Sequence, residues 1–227
     1  MSASTALVTV PSRLVVRPSR LAAFTALAMA ATVLASSPVA AAPATPYDHN
    51  LVRNPGAEAD IGGDGTSGVA PAHWQPNSPF TVVVYGTPNF PTKAESRRID
   101  GGKNFFSCGP GSSSYAKQGI TIHGRQAAID GGHVKAALSV LVAGYGKQGD
   151  RGRATLDFVD NELIIGTIHT SWVSATHGRF VLKSKARRVP TGTDSLSVTL
   201  QGQRDAVNGG AYCDAEFDNV KVVLKHV

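Results

Sequence analysis

The stretch His133 to Tyr145, H-V-K-A-A-L-S-V-L-V-A-G-Y, alternates apolar and mixed residues with a period of two. Val134, Ala136, Leu138, Val140 and Val142 fall on one face, and Lys135, Ala137, Ser139, Leu141 and Tyr145 on the other. That period puts successive side chains on opposite sides of an extended chain, so the stretch predicts a β-strand with one buried face. The same alternation returns in Arg153–Phe158, where Ala154, Leu156 and Phe158 are apolar, and in Ser195–Gln203, where Leu196, Val198 and Leu200 are. It closes the chain with Val220, Val222 and Leu224. No amphipathic helix of useful length is visible.

Turn-forming clusters separate these segments: Gly62–Gly65, Asp100–Gly102, Asp130–Gly132, Asp160-Asn161, Pro190–Gly192 and Asn208–Gly210. Many short strands with such punctuation predict an all-β fold, an antiparallel sandwich or barrel. Ile-Asp-Gly-Gly occurs at Ile99 and at Ile129 with different flanks, which reads as a reused turn.

The first 41 residues have the design of an export signal. Arg13, Arg17 and Arg20 precede the apolar run Leu21–Ala35, and Val39-Ala40-Ala41-Ala42 offers a small-residue cleavage site after Ala41 or Ala42. The apolar run is short for a membrane span, so no membrane contact is expected after cleavage. Residues 42–49 read as a short linker and 50–227 as one domain. Losing the three leader arginines lowers the formal charge from +6 to +3. The remaining basic residues are scattered apart from Lys183–Arg188, and the balance argues against nucleic acid as a partner. Localisation is expected to be secreted and extracellular.

Cys108 and Cys213 are the two cysteines of the chain. In an oxidising compartment the pair reads first as one disulfide, ahead of two free thiols or a catalytic cysteine. Neither has a histidine neighbour or a helix start to activate it.

Gly144-Tyr-Gly-Lys-Gln-Gly149 matches the glycine pattern of dinucleotide-binding sites, which need a helix to open there. The following Arg151–Phe158 alternates as a strand, so the glycines are expected to form a loop. That loop would present Tyr145, Gln148, Asp150 and Arg151 to a ligand. No nucleophile elbow surrounds Ser112–Ser114, and no histidine pair has metal-binding spacing. Asp150, Asp157, Glu162 and Asp205 can be paired on paper as hydrolytic acids, with nothing to single them out. Aromatic residues are 7% of the chain, among them Trp74, Tyr85, Tyr145, Trp172 and Tyr212. Each has the plane needed to stack on a sugar ring, and each competes with a role in the core.

Five segments, in order, carry a resemblance. They are N-L-V-R-N-P-G-A-E at Asn50–Glu58, P-A-H-W at Pro71–Trp74 and G-G-K-N-F-F at Gly101–Phe106. S-S-S-Y-A-K-Q-G-I-T-I at Ser112–Ile122 and A-E-F-D-N-V-K-V-V-L at Ala215–Leu224 complete the set. Together they resemble the galactose-binding-like jelly-roll domains, in particular the carbohydrate-binding modules secreted with bacterial polysaccharide-degrading enzymes. The resemblance implies that the first and last strands lie side by side. It also implies a structural calcium between them, with Glu58 and Asp218 as hard oxygen ligands. The implied partner is a polysaccharide or other glycan, held around Tyr145, Gln148, Asp150 and Arg151 with Trp74 and Tyr85. The expected function is a secreted, non-catalytic carbohydrate-binding protein. A glycan hydrolase or lyase on the same fold, or a surface adhesion domain, is the alternative.

Overall fold

In a computed structural model, residues 42–77, 79–207 and 210–227 are described. The expected export signal, 1–41, lies outside them, as does most of the Asn208–Gly210 turn. The strands are β1 (Gln75–Pro76), β2 (Thr81–Val84), β3 (Asn104–Pro110), β4 (Ser113–Thr121), β5 (Val134–Gly144) and β6 (Arg151–Asp160). They continue with β7 (Leu163–His169), β8 (Val173–Ser174), β9 (Val181–Arg188), β10 (Ser195–Gln203) and β11 (Tyr212–His226). Two short helices, α1 (Lys93–Ile99) and α2 (Gln126–Asp130), lie between strands.

One sheet runs β1-β4-β10-β6-β7, with β8 also paired to β6; the other runs β2-β3-β11-β5-β9. Every strand pair in both sheets is antiparallel. The sheets pack as a jelly-roll sandwich, and the alternation of the sequence supplies its core. Leu138, Val140, Val142, Phe217 and Val222 of one sheet meet Leu156, Phe158, Leu196, Val198 and Leu200 of the other, all buried.

The chain start lies against the last strand. Asp48 N–H donates to the Leu224 carbonyl and Leu51 N–H to that of Val222, both at 2.9 Å. The segment expected as a linker is therefore docked. Thr45 is buried, exchanges hydrogen bonds with His123, and accepts one from Arg125. Arg125 also lies 4.0 Å from the ring centre of Tyr47. Cys108 on β3 and Cys213 on β11 form the disulfide, with Cα atoms 5.4 Å apart.

The expectation of one buried face per strand fails for the five-stranded sheet. Its outer face carries a second apolar cluster, Val83, Tyr85, Phe105, Ala143 and Phe180, flanked by Phe90, Ile99 and Leu141. The helix α1, which the sequence reading missed, is part of this cover. Thr92 caps it by accepting the Glu95 N–H, and Asp100 ends it at φ 57°. The Glu95 carboxylate accepts from Arg98 and from the Phe180 N–H at 2.6 Å, tying helix to cover.

Candidate functional site

Glu58 and Asp218, which the resemblance names as calcium ligands, flank one stretch of glycine backbone. Asp218 Oδ2 accepts the Tyr85 hydroxyl and Oδ1 the Asn219 N–H, both at 2.6 Å. Glu58 Oε1 accepts the N–H groups of Lys103 and Asn104, each at 2.8 Å. Between the two carboxylates run Gly101 and Gly102. A Cβ at Gly101 would lie 2.5 Å from Asp218 Oδ2, one at Gly102 2.5 Å from Glu58 Oε1, and one at Gly56 2.7 Å from Asp218 Oδ1. Three bare backbone positions thus surround two carboxylates. Burial pushes the Asp218 carboxyl up to about 8, and the like charge of Glu58 adds to the rise. Two carboxylates beside bare glycine backbone offer hard oxygen donors of the kind calcium takes, with carbonyl oxygens to complete a shell. Among the described residues no cluster of three or more acidic, histidine or cysteine side chains has metal-binding geometry, so carbonyls would have to supply the rest.

The residues expected to hold a glycan do not form one site. Trp74 is 6% exposed and Tyr85 2%. Trp74 packs edge-on against Phe106 and donates its indole N–H to the Asn54 carbonyl. Tyr85 stands against Phe105 and Asp218. Neither offers a free plane, because each fills an apolar cluster. Asp150 is also buried, and its two oxygens accept the N–H groups of Asp205 and Asp214. It is a structural carboxylate that closes the loop ends. Tyr145, 40% exposed, sits in the β5–β6 loop with Gln148. This glycine-rich loop joins two strands, as expected.

Arg151 belongs elsewhere, on the outer face of the six-stranded sheet. There β6 and β10 are in register, with Arg151 opposite Gln203 and Arg153 opposite Gln201, while Tyr115 of β4 lies on the other side of Gln201. Gln203 Oε1 accepts from Arg151 at 2.8 Å and Gln201 Oε1 from Arg153 at 2.9 Å. Both guanidinium groups lie over Trp172, at 4.8 and 4.4 Å from its ring centre. Tyr115 is 45% exposed, and with Arg153, Trp172, Gln201 and Gln203 it lines an open trough of ≈ 290 Å³. The signal for it was in the sequence. Arg151, Arg153, Gln201 and Gln203 occupy the polar positions of two alternating strands, but only strand register aligns them.

A third feature lay outside the sequence reading. Glu216, on the outer face of β11, is 1% exposed, and burial followed by the charge of Asp214 drives its carboxyl well above the usual range.

No family model matches the sequence, and no curated protein matches it. Solved structures with a similar fold include a cyclase from Fischerella sp. TAU, 13% identical, covering 78% of this chain and 96% of that one at a TM-score of 0.55. A tailspike protein 4 domain of bacteriophage CBA120 is 14% identical at 0.48; the match covers 78% of this chain but spans only 21% of the tailspike chain. A family 16 carbohydrate-binding module is 15% identical at 0.47, over 77% of this chain and 99% of that one. At these identities the likeness extends to the fold and no further. The chain is an antiparallel jelly-roll sandwich similar in architecture to these proteins.

Proposed function

We propose that this chain is an exported, non-catalytic glycan-binding protein that holds its ligand in the trough between Tyr115 and Trp172. The observation that carries the reading is the pairing of two aromatic side chains across a floor of glutamine amides and arginine guanidinium groups. Sugar rings present apolar C–H faces to aromatic planes and hydroxyls to fixed polar groups, and this trough supplies both. Because the arginine–glutamine bonds join adjacent strands, the polar groups are held in place before a ligand arrives.

The Glu58–Asp218 cradle is read as the site of one structural calcium that ties the Asn50–Glu58 segment to the last strand. Export is supported by the leader-like composition of the first 41 residues and by the disulfide, which belongs to oxidising compartments. Among the described residues no helix is long and apolar enough to cross a membrane.

A glycan array and an insoluble-polysaccharide pull-down, with product analysis of the same samples, test the function. Retention that disappears in Trp172→Ala and Tyr115→Ala supports it. No glycan retention by the native chain overturns it, and released sugar moves the protein to the hydrolase or lyase alternative.

A further inference from the structure

Glu216 lines a cavity of ≈ 270 Å³ on the opposite sheet from the trough, together with Asn89, Phe90, Tyr145 and His177. Its Oε2 is buried and has no hydrogen-bond partner among the described residues. The charged groups that act on it are Asp214 and Asp150, both acidic. Asp150 is fully used by the two backbone amides that hold it, so it offers Glu216 nothing. A carboxyl group placed out of water without a partner is costly, and it calls for a water, an ion or a ligand to bond to it.

The walls are built before any ligand arrives. His177 N–H donates to the Gly146 carbonyl and Gly178 N–H to that of Gly144, locking the two loops of the rim together. The Thr176 hydroxyl adds bonds to both backbone groups of Gly144. Phe90 is fixed edge-on against Tyr212 and tilted against Phe105. The result is an aromatic wall, an acidic floor and a rigid mouth.

We propose that this cavity binds a small organic cation, a primary ammonium whose nitrogen sits on Glu216 Oε2 and whose apolar body lies between Phe90 and Tyr145. Among the described residues no lysine or arginine lines the cavity, and a cation there supplies positive charge beside Oε2. A neutral ligand of the same shape gains only the apolar contact. The site goes beyond the glycan reading and shares no residue with the trough.

Calorimetry with benzylamine and benzyl alcohol, a charged and an uncharged ligand of one shape, tests it. Benzylamine is expected to bind at least about tenfold more tightly than benzyl alcohol, the size of a charge-assisted hydrogen bond in a dry site. Glu216→Gln keeps the shape and removes the charge, so it is expected to erase that preference while glycan retention stays unchanged. Tyr145→Ala, at the exposed rim, should weaken both ligands and decides the matter if Glu216→Gln does not fold. Equal affinity for the two ligands, indifference of benzylamine to the variants, or no binding of either overturns the proposal.

Discussion

The hydroxyl of Tyr85 donates a 2.6 Å hydrogen bond to Oδ2 of Asp218, and both side chains are buried. This bond joins the aromatic cluster on one sheet to the carboxylate of the proposed calcium cradle. Calcium is expected to raise the melting temperature, and chelation to lower it. Asp218→Asn and Glu58→Ala should each remove the calcium-dependent part. Tyr85→Phe should cost roughly 1–3 kcal/mol through the lost partner of a buried group, while leaving the calcium response in place. A melting temperature indifferent to chelation and to Glu58→Ala would show the metal assignment to be wrong.

Asp214 makes a separate pH prediction. Burial, reinforced by the charge of Asp150, pushes its carboxyl up to about 6 from an ordinary 3.8. Between those two values the folded state holds the proton more tightly than the unfolded one, so stability declines as pH rises through that window. Asp214→Asn should flatten this slope and stabilise the protein at pH 7, on the order of 1 kcal/mol after solvent screening. Denaturant titrations at pH 4 and pH 7 measure the difference.

The two tryptophans should respond differently. Trp74→Ala empties a core position and is expected to cost about 3–5 kcal/mol, seen as a lower unfolding midpoint. Trp172→Ala, which removes a half-buried ring stacked by two guanidinium groups, should cost less, about 1–2 kcal/mol, and abolish glycan retention. If Trp172→Ala binds polysaccharide like the native chain, the trough is not the site.

The segment before Asn50 is expected to carry stability. Tyr47 lies under the Arg125 guanidinium and edge-on to His226, so Tyr47→Ala should cost roughly 1–2 kcal/mol. Equilibrium unfolding would detect it; no loss would mean that the segment behaves as a linker after all.

Much of the fold was legible from local pattern. The faces assigned to Val134–Val142, Leu196–Leu200 and Val220–Leu224 are the faces the sandwich buries, because alternation records which side of a strand meets the core. The strand–loop–strand reading of Gly144–Gly149 held for the same reason. The neighbourhood of Asn50 and the last strand had been implied by the family resemblance, and the Cys108–Cys213 disulfide by two cysteines in an oxidising compartment. Helix α1 escaped notice because seven residues are too few to display a helical period, and its boundaries rest on Thr92 and Asp100.

The sequence by itself determined an all-β architecture and the buried faces of four of its strands, while the family resemblance implied that Glu58 and Asp218 stand near the joined ends. Tertiary structure alone decided which aromatic and acidic side chains reach solvent. Trp74 and Tyr85 are as suited by type to stack on a sugar as Trp172 and Tyr115, yet Phe106 and Phe105 cover the first pair, whereas Tyr115 is exposed and Trp172 is half-buried beside two guanidinium groups. Asp150 and Glu216 are both buried acids, but only the second was left without a partner for Oε2. Exposure depends on which distant segment lands on a residue, and a period of two contains no information about that.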